Sequence, residues 1–415
     1  MTLNKSKKQI ILLYSSTIGG VLLGILVSIL NTRSLNPSDY GDVRYVNNII
    51  AFFSGIFLFG YFVSGSRLLA IAPTKKEANR VKGIMVLILA LTIILMMIAM
   101  LICGFIHDSI FHKNFSNLFF YVIPVCGCTL LLNYINTSSQ GDNSIKTIAA
   151  ARILPQLVYL FIAYISYQIW GATSERMLLL QNGITTLVLG FLIFKNSPDF
   201  QQIRISFRKL QIENKQYGLQ VYWGSLANVS VQYIAGISLG IFSIDNVNVG
   251  FYTLALTITT PLMMLPNVIG TTYFKQFANQ NYISLNILQG TYIMSFISLI
   301  GFCILIHPIV NYLYSKSYES VATYSSFLAV GYTLHGLGDV YNRFLGAHGK
   351  GKSLRNGAFL SGGIAIIGYT IGIYYSGITA AISTRILSST VYFIMMIYYY
   401  HKFKSTRSNS PIRLL

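Results

Sequence analysis

With 415 residues, of which 53% are hydrophobic and only 10% charged, the chain has too little polar surface to cover a soluble globule of its size. Its apolar runs are about 18 to 25 residues long and lack the alternation of outer-membrane strands, so they read as membrane-spanning helices. The net charge of +19 sits in short loops between those runs rather than on a domain, which argues against nucleic acid as a partner.

Taken in order, the first run (9–31) follows Lys5, Lys7 and Lys8 as the core of a secretory leader would. It is too long for such a core and no small-residue cleavage site follows, so it is predicted to stay as the first span. Hydropathy places further spans at about 45–66, 84–106, 116–137, 148–168 and 177–194. A polar segment, 195–216, then interrupts the series with five basic residues (Lys195, Arg204, Arg208, Lys209, Lys215) and two acidic ones (Asp199, Glu213). Beyond it come spans at about 217–242, 249–273, 290–314, 321–343, 357–375 and 378–399. The expectation is an all-α integral membrane protein of about twelve transmembrane helices in two six-helix lobes. Its parts are an N-lobe (1–194), a cytoplasmic linker (195–216), a C-lobe (217–400) and a basic cytoplasmic tail (401–415).

Lysine and arginine mark the cytoplasmic side of a membrane protein. One set of alternate loops holds only Arg33, Arg44, Lys113, Arg176 and Lys316 of the 30 Lys and Arg, and Arg385 alone falls within a span. The remainder lie with the termini, the linker and the other loops, so both termini and the linker are predicted to be cytoplasmic. The outer loops are short, the longest being 32–44, and leave no outer domain to modify a substrate. No nucleotide-binding loop, metal cluster, catalytic triad or acid pair is present in the sequence, so an enzyme is not expected. The four cysteines, Cys103, Cys126, Cys128 and Cys303, all fall in apolar runs and read as packing residues.

The two halves repeat at an offset of about 208 residues. Tyr40-Gly41 matches Val249-Gly250, each Gly separating a polar turn from the next span, and the RLLA ending at Ala70 matches the KQFA ending at Ala278. SQG at 139–141 matches AHG at 347–349, and Gly171 matches Gly377. Six spans per repeat, an even number, give both copies the same orientation, with an axis along the membrane normal and substrate sites between the repeats.

The NPSDYG of 36–41, the cation and Ala closing span two, the GKGK turn at 349–352 and the SGITAA of 376–381 resemble the polysaccharide transporters of the multidrug, oligosaccharidyl-lipid and polysaccharide exporter superfamily. The resemblance covers essentially the whole chain, and it departs at Gln140-Gly141-Asp142, where a basic residue often follows the Gly. It implies a flippase of the bacterial inner membrane that moves a polyprenyl-diphosphate-linked oligosaccharide, such as an O-antigen or capsule repeat unit, to the outer leaflet by alternating access. Membrane lipid, polysaccharide polymerase and chain-length machinery are the further partners implied. No cofactor is implied, and coupling to a proton or sodium ion is open.

Candidate site residues follow from polarity within the spans. Ser225, Asn228 and Gln232 share one face of span seven and read either as sugar contacts or as bonds between helices. Pro261 and Pro266 in span eight should bend that helix and so assist gating. His335, Asp339 and Arg343 share a face of span ten, where Asp339 is either an ion-coupling acid with His335 or half of an interfacial pair with Arg343. Arg385 either faces a cavity or reaches toward the interface. Arg33 and Arg44 flank the first outer loop, where they either meet a diphosphate leaving the protein or pair with Asp39 and Asp42. Arg67 and Lys275, matched by the repeat, either clamp a diphosphate on the cytoplasmic side or serve only as topological anchors. Rival readings are a multidrug or cation exporter, which needs cavity acids that this chain largely lacks, and a peptidoglycan-precursor flippase of the same superfamily.

Overall fold

The computed structural model describes residues 2–110 and 115–408, with side chains from 12 to 405 except those of 227, 228 and 230 and of the segment 111–114. These residues are almost wholly helical and contain no strand. Contacts divide the chain into two compact units, Met1–Tyr233 and Ile234–Leu415.

The first unit comprises α1 (Thr2–Ser34), α2 (Pro37–Ile56), α3 (Tyr61–Ala70), α4 (Lys75–Ser109), α5 (Asn117–Val122), α6 (Cys128–Gly141), α7 (Ile145–Trp170), α8 (Ser174–Lys195), α9 (Ile203–Glu213) and the first half of α10 (Leu219–Phe242). The helices start where the sequence supplies caps. Asn36 Oδ1 accepts the backbone N–H of Asp39 at 2.9 Å, with Pro37 next to it in the first turn of α2. Thr74 accepts from Glu77 N at 3.2 Å and Thr173 from Arg176 N at 3.3 Å. Side-chain contacts fix the directions. Ser174 and Asn182 of α8 reach Asp39 and Asn47 of α2 in the same order, so those helices run parallel. Lys82 and Ile93 of α4 meet Asp142 and Gly127 of the α6 strip in reverse order, so α4 runs antiparallel to it.

The second unit holds the rest of α10 with α11 (Val247–Thr272), α12 (Phe274–Ala278), α13 (Leu285–Leu313), α14 (Ser320–Ala347), α15 (Gly351–Ile367) and α16 (Ile373–Ser408). α11, α14 and α16 run parallel. Met263 lies beside Gly336 and Asn267 at Asp339, while Gly331 lies beside Ile386 and Asp339 at Tyr392. The segment Gly351–Ser405 turns back on itself, because Gly368 lies beside Thr384 and Gly357 beside Met396. The turn falls at Gly377, whose φ of +53° suits a residue without Cβ. Its repeat partner Gly171, between α7 and α8, also has positive φ, +74°.

By length and apolar composition 8 helices among the described residues can cross a membrane, or up to 10 if each bent pair is one span. The expected count of about twelve corresponds to taking the hairpin as two passes and adding α14. At 28 residues α14 is long enough, but its Ser, Thr, Gly, His and Asp lower its hydropathy because it sits between other helices rather than in lipid.

Two expectations need correction. The span drawn at 45–66 is two helices, α2 and α3, whose axes differ by 59°. Tyr40-Gly41 and Val249-Gly250 lie inside α2 and α11, not in the loops before them. Pro261 and Pro266 lie inside α11, and the Pro266 ring packs beside Gly336, a position with no side chain of its own to displace. The segment 195–216 is helical from Ile203, and a π-helical turn, Asn214–Gly218, carries α9 directly into α10. Hydropathy marks where a helix is apolar, whereas backbone bonding decides where it begins.

Candidate functional site

The second unit gathers polar side chains around α14. Glycine at 336 permits the close approach of α11, since a Cβ there would lie 2.8 Å from Met263 O. That approach brings Asn267 to Asp339: Asn267 Nδ2 donates to Asp339 Oδ2 at 3.0 Å. From α16, the Tyr392 hydroxyl donates to Asp339 Oδ1 at 2.9 Å. Arg343 does not pair with the acid; its Nη2 donates to Asn267 Oδ1 at 3.4 Å, so the amide stands between the two charges. His335 stacks on Tyr392, ring centroids 4.5 Å apart and planes 18° from parallel. The aspartate is thus held by two neutral donors, an arrangement in which a proton or small cation can be exchanged without breaking an ion pair.

Arg385 of α16 lies over the Tyr332 ring at 4.7 Å, and its Nε is buried with no hydrogen-bond partner. Arg385 is half-buried in this unit.

The interior of the first unit is built from neutral amides. Asn182 Nδ2 donates to Asn47 Oδ1 at 3.1 Å, Cys128 Sγ to Asn182 Oδ1 at 3.2 Å, and Asn133 Nδ2 to Ser54 Oγ at 3.3 Å. Nδ2 of Asn48, Oδ1 of Asn136 and Oε1 of Gln181 are buried without a partner. Along α1 and α7, Arg152 donates to Thr17, and Tyr159 donates to Asn31 at 2.6 Å. The sequence reading missed these groups. Carboxamides inside apolar runs were the available signal, and only those of span seven were taken up.

The remaining candidates are scattered. Arg67 is exposed and committed within its own unit: Nη1 contacts Glu213 Oε1 at 2.7 Å and the guanidinium covers the Tyr217 ring at 5.2 Å. Lys275 is exposed on the short helix α12. Arg44 Nε donates to Tyr40 at 2.8 Å, while Arg33 is exposed in the last turn of α1. Ser225 donates to Tyr222 O at 2.8 Å, Gln232 is exposed, and the side chain of Asn228 lies outside the described residues. Elsewhere on the first unit an ion pair closes Lys82 on Asp142 at 2.7 Å, at the point where the polar loop after α6 departs from the usual pattern.

The model of a family described as polysaccharide biosynthesis protein matches residues 6–274. Among curated proteins, none matches the sequence. Solved structures share the fold. Lipid II flippase MurJ in an inward closed conformation superposes with a TM-score of 0.73 at 16% identity, over 95% of this chain and 90% of that one. A multidrug resistance MATE family transporter of the MOP superfamily, inward-facing, gives 0.70 at 16% identity, over 95% and 96%. A MOP superfamily transporter from Pyrococcus furiosus gives 0.55 at 16% identity, over 96% of each chain. The multi-pass helical architecture is therefore that of MOP-superfamily transporters.

Proposed function

The chain belongs to the polysaccharide biosynthesis protein family, and from that premise we propose that it is a flippase for polyprenyl-diphosphate-linked oligosaccharide. It carries the sugar and diphosphate from the cytoplasmic to the outer leaflet of a bacterial inner membrane while the polyprenyl tail remains in lipid. The observation that supports this reading is the charge balance of the spans. Among the described residues, Asp339 is the one acid about two turns or more from both ends of its helix, whereas Asn47, Asn48, Asn133, Asn136, Gln181 and Asn182 supply amides. Neutral amides match sugar hydroxyls and acetamido groups, which need donors and acceptors but no counter-charge. An organic cation would instead call for several acids.

Asp339, with Asn267 and Tyr392 around it, is our candidate for coupling to a proton or sodium ion. The test is reconstitution in liposomes with a fluorescent polyprenyl-diphosphate oligosaccharide in one leaflet. The expected result is faster loss of that asymmetry than in empty liposomes. Movement of a peptidoglycan precursor but not of this substrate assigns the chain to the rival flippase class. Export of an organic cation dye alone overturns the proposal in favour of a drug exporter.

A further inference from the structure

At the break in the second span a transmembrane chain gives up its own backbone bonds and takes others. α2 ends at Ile56 and α3 begins at Tyr61, and the four residues between them (Phe57, Leu58, Phe59, Gly60) are apolar or lack a side chain. Carbonyl groups in such a place need protein partners, because lipid offers none. Two are satisfied from distant sequence. Tyr222 donates its hydroxyl to Ile56 O at 2.6 Å, and Asn214 Nδ2 donates to Phe59 O at 3.1 Å. Asn214 Oδ1 in turn accepts from Ser64 Oγ at 3.1 Å, so Asn214 holds the α3 side of the break while Tyr222 holds the α2 side.

The backbones also touch. Gly60 has φ of +77°, and a Cβ placed on it would lie 2.5 Å from the carbonyl carbon and oxygen of Gly218. Asn214 and Gly218 are the two ends of the π-helical turn between α9 and α10. On the outer side of the same contact Arg67 holds Glu213, the residue before that turn.

We propose that the π-turn is a detachable cap on the broken second span, and that transport requires it to undock and dock again in each cycle. Three observations carry this. The bonds across the contact are made between separate helices, so their loss leaves α3 and α10 each intact. The glycine-to-glycine contact lets the two backbones meet directly, so the cap seats only where neither position carries a Cβ. A π-turn also carries one more residue per turn of bonding than an α-helix, and such turns recur at functional sites. Relaxing it to α geometry shifts Asn214 out of register with Phe59 and Ser64 and releases the α3 side of the break. The cycle in this inference rests on the transport reading above; the cap itself does not.

The test joins Ser64→Cys to Asn214→Cys in a protein whose four native cysteines are replaced by serine, produced in the native host. Oxidation should lower surface polysaccharide at least about tenfold, and reductant should restore it. A protein that is cross-linked and still exports at the reduced rate overturns the proposal. Hydrogen exchange of amides 57–61 in purified full-length protein decides the matter without substrate, and also where the cross-link does not form. Asn214→Ala and Tyr222→Phe should each raise exchange there about five- to tenfold, the effect of one lost hydrogen bond. Unchanged protection in both variants overturns the cap. If the cysteine-free protein with Ser64 and Asn214 intact yields no polysaccharide although it is present in the membrane, the transport reading fails while the exchange result stands.

Discussion

Asp339 shows how much a single residue's reading depends on what surrounds it. An isolated acid in a long apolar chain is visible in sequence, because charges are rare there, but its partners Asn267 and Tyr392 come from helices 72 and 53 positions away. Only folding brings them together. Since the acid is satisfied by neutral donors and not by Arg343, Asp339→Asn keeps a polar group in place of a charge and the protein is expected to accumulate normally. Transport in reconstituted liposomes should then continue while losing its dependence on pH or sodium. Retained ion dependence in Asp339→Asn assigns the acid to structure instead. Arg67 invites the opposite comparison. Its guanidinium is held by Glu213 and by the Tyr217 ring, a planar contact that a lysine does not reproduce. Arg67→Lys is therefore expected to weaken activity and Glu213→Gln to weaken it in parallel, measured as surface polysaccharide at equal membrane levels. If a diphosphate rather than Glu213 were the functional partner, Arg67→Lys alone would reduce activity and Glu213→Gln would leave it unchanged.

At the scale of elements, most helices were legible as apolar runs, and the cap residues Asn36, Thr74 and Thr173 mark their starts. What was not legible is the break between α2 and α3. Its sequence is continuous, aromatic and free of proline, and Gly60, with its positive φ, is the local sign of it. The break exists because Asn214 and Tyr222 accept the cost of the freed carbonyls from elsewhere in the fold. α11 stays helical through Pro261 and Pro266, which withhold the N–H that Thr257 O and Leu262 O would otherwise accept, and α14 presents glycine opposite Pro266. That packing yields a stability prediction. Gly336→Val places a branched side chain against the α11 backbone, an overpacking that costs about 1–3 kcal/mol. Gly346→Ala, whose Cβ finds its nearest neighbour 3.8 Å away, should leave the thermal midpoint unchanged or raise it. A scanning-fluorescence melt of the detergent-solubilised protein distinguishes them. Equal midpoints for both variants contradict the close α11 to α14 contact.

For the whole molecule, direction along the membrane ties sequence to architecture. Parallel runs of α2 with α8 in the first unit, and of α11, α14 and α16 with one another in the second, place alternate passes within each unit in one sense. Which face is cytoplasmic is a separate question, and charge answers it. Lys and Arg beside an anionic leaflet are each favoured by about 1 kcal/mol, and they crowd one set of turns. Several on that side also meet acids of their own unit, Lys209 on Glu77 at 2.6 Å and Arg80 near Asp199 at 3.6 Å, while Arg204, Arg208 and Lys215 are exposed. Exposed cations favour the side of the anionic leaflet even where pairing neutralises the others. The prediction is that the turn of Arg204 and Arg208 faces the cytoplasm and the turn after Arg33 faces outward. Cysteines at Gln211 and Ser34, both exposed, report on the two turns in a protein whose native cysteines are replaced. A membrane-impermeant maleimide applied to intact spheroplasts should label Ser34→Cys and spare Gln211→Cys, and the pattern should reverse in inside-out vesicles. Labelling of Gln211→Cys from outside inverts the orientation, and with it the direction in which the proposed substrate moves.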